Sequence, residues 1–121
     1  MAIYESGEMY LETILVLYHK MDNVRAIDIC RELNYSKPSV SIALSNLKKE
    51  GYVTVDVNGM IRFTEAGRNI AEKIFERHKV ITNLLVDIGV SPETAAEDAC
   101  KIEHDISDET FEAIKNHMNK E

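Results

Sequence analysis

The sequence predicts a mainly α-helical fold in two parts, with one β-hairpin in the first part. Apolar residues recur at intervals of three and four through most of the chain, which is the period of helices with one buried face. The exception is a β-prone stretch over residues 52–57 and 60–63, where Asn58-Gly59 predicts a two-residue type I′ hairpin turn. With 121 residues, 45% of them hydrophobic, the chain can bury one sizeable core, and we expect a dimer.

The first two helices are predicted to be short and amphipathic. Residues 5–20 place Tyr10, Ile14 and Leu17 on one face, and Ser6 is positioned to cap this helix. A second helix is predicted over residues 25–33. Its Cys30 lies on the inward side, where a cysteine is most often a small buried apolar residue.

A third helix is predicted to begin at Ser36 as N-cap, with Pro38 in its first turn, and to end near Glu50. Two helices across a tight turn, followed directly by a hairpin, are typical of a winged helix-turn-helix. Hydroxyl side chains at the start of the third helix can approach bases closely, and lysines can neutralise phosphates. The candidate DNA contacts are Arg25, Ser36, Lys37, Pro38, Ser39, Ser41, Ile42, Lys48 and Arg62.

The net charge of −7 is unevenly distributed along the chain. Residues 1–70 contain eight Lys and Arg against nine Asp and Glu, whereas residues 71–121 contain six against twelve. A near-neutral first part with clustered bases is compatible with a phosphate backbone, and an acidic second part suits a cation. Residues 1–70 are therefore predicted to be a DNA-binding domain. The alternative is a helical hairpin that contacts protein, with its serines serving only as caps.

Residues 71–121 are predicted to form a helical dimerisation domain. A long helix over residues 64–88 has an apolar face too broad for the hairpin to cover, which indicates a dimer interface. Another helix is predicted to start at Ser91 and Pro92, and a last helix to run from an Asp108 cap to about Met118. The predicted fold class is thus a mainly α protein, a winged helix-turn-helix followed by a helical dimerisation domain.

Cys100, Glu103 and His104 carry the clearest chemical signal in the second part. They lie at i, i+3 and i+4, so a helix projects a thiol, a carboxylate and an imidazole from one side, at the border of its apolar stripe. These groups can bind a soft or borderline divalent metal, which makes 71–121 a candidate metal-binding domain. The alternative is chance spacing with a structural Cys100. His78, on the long helix, is by itself more often a surface or core residue than a ligand.

Several classes of protein do not fit the sequence. Its apolar runs fall far short of the roughly 20 residues that a membrane span needs, and its N-terminus lacks a signal-peptide pattern, so we expect a cytoplasmic protein without a membrane partner. The two cysteines do not make a disulfide framework. No His-Glu-x-x-His motif, nucleophile elbow or phosphate loop occurs, so we expect neither an enzyme nor an organic cofactor.

Five motifs together resemble the DtxR/MntR family of metal-dependent transcriptional repressors. They are Glu-Met-Tyr-Leu at 8–11, Ser-Lys-Pro-Ser-Val-Ser at 36–41, Thr-Glu-Ala-Gly-Arg at 64–68, Arg-His at 77–78, and residues 98–108 around the Cys-x-x-Glu-His pattern. The resemblance covers nearly the whole chain. It implies a homodimer that binds a palindromic double-stranded operator when loaded with metal and controls metal-uptake genes. The metal ligands that it implies are Met9, Glu12, His78, Cys100, Glu103 and His104.

The resemblance also bears on the choice of metal. Manganese-selective members have an aspartate at the position of Met9 and a glutamate at that of Cys100, whereas iron-responsive members carry Met and Cys. Soft ligands disfavour Mn(II) relative to Fe(II), Co(II), Ni(II) or Zn(II), so we expect Fe(II), with the other metals as alternatives. Ala96 and Thr82 replace the His and Glu of the iron-type ancillary site, so a second site of that kind should be absent or rebuilt using Glu12 and His78.

From two further departures we expect a short, hybrid form of the family. The sequence ends at Glu121 without the SH3-like third domain of many iron-type members, and Ile42 replaces a polar residue in the third helix, which should alter the operator sequence that is read. A winged-helix repressor gated by a small molecule or by thiol oxidation remains an alternative. In the favoured mechanism, bound metal fixes the two DNA-reading helices of a dimer at the spacing of successive major grooves.

Overall fold

The computed structural model describes residues 5–120, with side chains from residue 6 onward. Its elements, in chain order, are α1 (Glu5–Tyr18), α2 (Ala26–Leu33), α3 (Lys37–Lys49), β1 (Val53–Val55), β2 (Ile61–Phe63), α4 (Glu65–Asp87), α5 (Pro92–Ile102) and α6 (Asp108–Asn119). The chain divides into two compact units between Glu72 and Lys73, so α4 contributes residues to both. The prediction of a mainly α-helical protein with one hairpin is confirmed.

The first unit has a core built from one face of each of its first three helices. The fully buried residues include Leu11 and Ile14 on α1, Ile29 on α2, and Val40 on α3. Asn34, with φ of 57°, adopts the left-handed conformation that ends α2 and turns the chain toward α3. These helices form the predicted helix-turn-helix, in which α3 buries one face and leaves the other exposed.

The hairpin that follows α3 is an antiparallel two-stranded sheet with a three-residue turn. Val53, Thr54 and Val55 pair with Phe63, Arg62 and Ile61, in that order. The Gly59 amide donates to the Asp56 carbonyl at 3.0 Å, and Gly59 has φ of 81° whereas Asn58 is outside the positive-φ region. The prediction of a two-residue type I′ turn is therefore wrong, because that turn needs positive φ at both central residues. The observed pattern is a type I turn followed by a left-handed glycine.

Asp56 explains why the longer turn forms. Its carboxylate Oδ1 accepts hydrogen bonds from the Asn58 amide at 2.8 Å and from the Met60 amide at 3.0 Å. A carboxylate that bonds its own backbone two residues ahead stabilises a turn at that point. The strands accordingly shorten to three residues each, compared with the six and four expected from sequence.

The start of α4 packs tightly under the hairpin. Thr64 is the cap, since its Oγ1 accepts a hydrogen bond from the Gly67 amide at 3.1 Å and donates one to the Gly51 carbonyl at 2.7 Å. A Cβ atom at Gly67 would overlap the backbone carbonyl of Tyr52. Gly67 is therefore required for the close approach of α4 to the chain that enters β1.

Gly67→Ala is expected to destabilise the protein by about 1–3 kcal/mol, the usual cost of overpacking. The backbone carbonyl of Tyr52 cannot move aside as a flexible side chain would. Thermal unfolding followed by circular dichroism will show a lower midpoint. Asn69→Ala, at an exposed position of the same helix, is the matched control and should leave the midpoint unchanged or raise it. An unchanged midpoint for Gly67→Ala would contradict the tight packing.

The second unit consists of the remainder of α4 with α5 and α6. Its buried residues include Ile74 and Ile81 on α4, Ala95 and Ala99 on α5, and Phe111 on α6. Ser91 and Ser107 cap the two shorter helices, with their hydroxyls accepting from the Thr94 and Thr110 amides at 3.4 and 3.1 Å. Within residues 5–120, no helix combines the length and apolar character required to cross a membrane.

Three local predictions need correction. Ser6 lies inside α1 and does not cap it, since the helix already includes Glu5. Ser107 rather than Asp108 is the cap of α6, because Asp108 is the first helical residue. Cys30 is half-buried rather than fully buried. For the two caps, the sequence offered neighbouring residues of similar propensity.

Candidate metal centre and DNA-binding surface

The exposed face of α3 carries most of the candidate DNA contacts. Because Val40, Leu44 and Leu47 turn toward the core, the opposite side of the helix faces outward. Every one of the nine predicted DNA contacts is exposed: Arg25, Ser36, Lys37, Pro38, Ser39, Ser41, Ile42, Lys48 and Arg62. Lysines stand at both ends of α3, and the side chains between them are short or uncharged. This distribution suits phosphate contacts at the ends and base contacts in the middle.

Ile42 is the most distinctive residue of this face, because its large apolar side chain is 65% exposed. Ser36, by contrast, is already engaged as the cap of α3. Its Oγ accepts from the Ser39 amide at 3.3 Å and lies 2.9 Å from the Ser39 hydroxyl. The cap prediction at Ser36 is confirmed.

Arg25 has a structural role that the sequence does not reveal. Its Nε donates a hydrogen bond to the Asn58 carbonyl at 3.0 Å, so the guanidinium holds the turn of the hairpin. Its backbone amide donates to the Asp28 carboxylate at 2.8 Å, which fixes the start of α2. Arg62, the other arginine among the candidates, lies in the middle of β2 with an exposed side chain.

His78, Cys100 and Glu103 bring three different donor atoms together in the second unit. The His78 Nδ1 lies 2.9 Å from the Glu103 Oε2 and 3.8 Å from the Cys100 Sγ. Their ligand atoms all lie within 4.8 Å of one another, which marks them as a group able to hold a metal ion. His78 is half-buried and Cys100 is exposed, so the cluster opens toward solvent at its sulfur.

Glu103 is the central residue of this cluster. Its side chain is completely buried, and its Oε1 has no hydrogen-bond partner among the residues that the structure describes. The His104 Nε2 lies 3.4 Å from that oxygen without hydrogen-bonding geometry, and the His104 side chain is 5% exposed. A buried carboxylate oxygen without a partner is costly, so it favours occupation by a cation. The expectation that the trio only borders the core is wrong for Glu103, which is buried completely.

The helical placement of the trio also needs correction. α5 ends at Ile102, so Glu103 is its C-cap and His104 lies in the following turn. Only Cys100 and Glu103 keep a helical i, i+3 relation. His78, which the sequence by itself treated as an ordinary histidine, is the residue that bonds the Glu103 carboxylate.

The donor atoms of this cluster fit a divalent transition metal. Sulfur, imidazole nitrogen and carboxylate oxygen together suit Fe(II), Co(II) or Zn(II). Two ligands of one tetrahedral ion lie roughly 3.5 Å apart, close to the separation between Cys100 and His78. The shorter contact between His78 and Glu103 is a hydrogen bond that ion binding would replace.

Met9 and Glu12 lie on α1 in the first unit, three positions apart, and both are half-buried. The Met9 carbonyl accepts a hydrogen bond from the Thr13 hydroxyl at 2.9 Å. Their spacing places both side chains toward the same side of α1. Their role as ligands stays a prediction.

Arg77 belongs to the Arg-His motif at 77–78, but no role was predicted for it, and it is 5% exposed. It donates hydrogen bonds to two backbone carbonyls of the segment between α5 and α6. A signal for it exists in the sequence. The apolar stripe of α4 runs through Ile74 and Ile81, and Arg77 occupies the position between them where an apolar residue is expected.

The fold and the cluster define a class of protein, namely a winged-helix DNA-binding unit joined to a helical unit with a candidate metal centre. Comparisons with known proteins agree. The N-terminal DNA-binding domain of iron dependent repressors matches residues 2–59, and their metal binding and dimerisation domain matches residues 64–120. The chain belongs to the DtxR/MntR family of metal-dependent transcriptional repressors. It is a DNA-binding regulator and not an enzyme.

Individual relatives support this assignment. An uncharacterized HTH-type transcriptional regulator of Methanocaldococcus jannaschii is 37% identical over 119 residues, covering 96% of this chain and 94% of the relative. The transcriptional regulator MntR of Escherichia coli is 33% identical over 111 residues, covering 92% and 72%. The structure of the manganese regulator SloR matches with a TM-score of 0.83 at 24% identity, over 98% of this chain and 55% of that one. The SloR likeness concerns the fold alone, and this chain spans about half of SloR.

Proposed function

We propose that this repressor binds a palindromic operator as a homodimer when divalent metal, Fe(II) in the favoured case, occupies the cluster of His78, Cys100 and Glu103. The buried Glu103 oxygen without a partner is the observation that carries the proposal. When bound, the ion would supply positive charge beside this buried oxygen. His104, Met9 and Glu12 are proposed as further ligands, on the strength of the family resemblance.

The response follows from linkage between two binding equilibria. If metal binding favours the arrangement of the dimer that fits the operator, operator binding raises metal affinity by the same factor. A coupling of roughly 1–3 kcal/mol gives a useful switch. In this proposal, Cys100 and His78 bind the ion, and the family resemblance adds Met9 and Glu12 to the ligand set. The regulated genes would then be those for metal uptake.

The proposed preference for Fe(II) rests on the sulfur atoms. Cys100 has its thiol in the cluster, 3.8 Å from the His78 ring nitrogen, and Met9 would add a thioether. Soft sulfur ligands disfavour Mn(II), which prefers carboxylate and carbonyl oxygen. Zn(II), Co(II) and Ni(II) would also suit this donor set, so the choice among them depends on a direct comparison.

The test is an anaerobic titration of Fe(II), Mn(II) and Zn(II) while binding to a two-fold symmetric duplex is followed by fluorescence anisotropy. We expect each effective metal to increase DNA affinity, with Fe(II) acting at a lower concentration than Mn(II). If none of the three metals changes DNA affinity, the metal-switch proposal is wrong.

A second candidate function, gating by thiol oxidation, is favoured by the exposure of Cys100 beside His78. An exposed thiol is accessible to oxidants. The two functions separate cleanly under reducing, anaerobic conditions. A metal-dependent gain in DNA affinity that Cys100→Ala and Glu103→Ala both remove excludes gating by oxidation alone, because Glu103 has no part in thiol chemistry.

Lys37→Ala and Lys48→Ala are expected to weaken DNA binding about equally on all sequences. Each lysine that contacts a phosphate contributes about one unit to the slope of log affinity against log salt concentration. We therefore expect each variant to reduce that slope by about 1 in the metal-loaded state. Lys20→Ala is the control, since Lys20 is an exposed lysine of the first unit outside the predicted contacts and pairs with Glu32. If the slope keeps its wild-type value in both variants, α3 is not part of the DNA interface.

A further inference from the structure

Arg77 is a buried cation on α4, in the middle of the helical second unit. Its side chain is 6% exposed, and it follows Ile74 by one turn on the inward face of the helix. Burying a guanidinium is expensive unless its donors are satisfied and its charge is balanced, and here Nη1 and Nη2 have partners while Nε has none among the described residues. The groups that contact the Arg77 side chain should therefore indicate its role.

The guanidinium binds the backbone of the segment that joins α5 to α6 at two points. Its Nη1 donates hydrogen bonds to the Glu103 carbonyl at 3.0 Å and to the Ile106 carbonyl at 2.9 Å. Its Nη2 donates to the Asp108 carboxylate, and its carbon Cζ lies 5.3 Å from the centre of the Phe111 ring. One side chain thus fixes the backbone on both sides of His104.

Two features of the helix ends favour these contacts of Arg77. The Glu103 carbonyl lies at the C-terminal end of α5, where carbonyls without helical partners carry partial negative charge and attract a cation. Asp108 opens α6 and also bonds the Lys73 ammonium at 2.9 Å. The hydrogen bond and charge of Lys73, with the charge of Arg77, hold the pKa of Asp108 below its ordinary value, so this anchor remains ionised at neutral pH.

Glu103 is consequently held by two consecutive residues of α4. Arg77 holds its backbone carbonyl at 3.0 Å, while His78 holds its carboxylate at 2.9 Å. Loss of the His78 contact on metal binding would leave the Arg77 contact in place, because the latter involves the backbone only. The carboxylate would then be presented to the ion from a fixed main chain.

We infer that Arg77 is the positioning residue of the metal centre, fixing the Glu103 and His104 backbone so that their side chains are placed for an ion before it arrives. This inference rests on the proposed metal-binding function and deepens it. Partners that orient a ligand without touching the metal typically contribute 10- to 100-fold to metal affinity. Arg77 would act in this way through hydrogen bonds to backbone carbonyls.

The test compares Co(II) binding by wild-type protein and by Arg77→Met, which keeps an unbranched apolar chain but has no donors. Binding is followed by the absorption bands of Co(II), including the thiolate charge-transfer band from Cys100, in competition with a chromophoric chelator. We expect the affinity of Arg77→Met to fall about 10- to 100-fold, with altered ligand-field bands. Arg77→Lys, which can bond the carbonyls with a single ammonium, should recover part of the loss.

The controls separate positioning from general stability. Ile74→Ala removes core volume from the same helix and should lower the unfolding midpoint while leaving Co(II) affinity within about twofold of wild type. Asp108→Asn weakens the ion pair between Arg77 and Asp108 but keeps both hydrogen bonds from Arg77 to backbone carbonyls. A loss of only a few fold in Co(II) affinity is therefore expected. If Arg77→Met fails to fold, Arg77→Lys and Asp108→Asn decide the question in its place.

The outcomes distinguish this inference from the function on which it rests. Wild-type protein that binds no Co(II) at Cys100 would overturn the proposed metal centre itself. Wild-type protein that binds Co(II), together with folded Arg77 variants of wild-type affinity and spectrum, would overturn the positioning role alone. If the Arg77 variants lose no more Co(II) affinity than Ile74→Ala does at a similar loss of stability, the positioning role is also wrong.

Discussion

Glu103→Gln is expected to abolish the metal response of DNA binding. The substitution keeps the size and a hydrogen bond to His78 but removes the buried negative charge that a cation would neutralise. Loss of a residue that merely orients a ligand already costs 10- to 100-fold in metal affinity, so loss of a direct ligand should cost at least about 100-fold. The measurement is Co(II) affinity by chelator competition, with operator affinity followed by anisotropy over a series of metal concentrations.

The metal-free stability of this variant provides an internal check. Because the amide removes a buried charge but leaves an NH₂ group at the position of the unpartnered oxygen, only a small change in the unfolding midpoint is expected. Glu109→Gln removes the same charge from an exposed position of α6 and should change neither metal affinity nor DNA binding. If metal still increases the DNA affinity of the Glu103→Gln variant, Glu103 is not a metal ligand.

Met9→Asp is expected to shift the metal preference toward Mn(II). It exchanges a soft thioether for a hard carboxylate, and hard oxygen ligands suit Mn(II) while soft ones disfavour it. We expect the ratio of the Fe(II) and Mn(II) concentrations that half-activate DNA binding to change by at least about tenfold, equivalent to about 1.4 kcal/mol. The double variant with Cys100→Glu should shift the ratio further, since it removes the second sulfur.

Met9→Leu is the matched control for this experiment. It keeps the apolar bulk of a half-buried position on α1 but removes the sulfur. We expect weaker activation by Fe(II) without a gain for Mn(II), which would separate ligand chemistry from packing. If Met9→Asp leaves the order of metals as it is in the wild type, Met9 is not a ligand, and the proposal that the first unit contributes a sulfur donor is wrong.

Much of the fold followed from local signals that act within a few residues. The Ser36 cap with Pro38 behind it fixes the start of α3, and the spacing of Val40, Leu44 and Leu47 fixes its buried face. Such features depend on backbone hydrogen bonds and on helical periodicity, so they can be read directly from sequence. The same holds for the position of the hairpin.

Other local details failed because a second residue competed with the expected one. The Asn58-Gly59 pair favours a two-residue turn, but the Asp56 carboxylate bonds two amides ahead of it and stabilises a three-residue turn instead. Ser107 and Asp108 are both good caps, and the helix uses Ser107. Propensity alone separates such neighbours by only a few tenths of a kcal/mol, which packing easily exceeds.

The sequence by itself determined the order of the helices and the hairpin and the exposed face of α3, and it predicted the candidate donor atoms of the metal centre. Only the tertiary structure decided that Glu103 is completely buried, that His78 from a distant helix bonds its carboxylate, and that Arg77 holds its backbone. The physical reason is separation along the chain. His78 and Arg77 lie 25 and 26 residues from Glu103, and contacts at that distance are set by how the helices of the second unit pack.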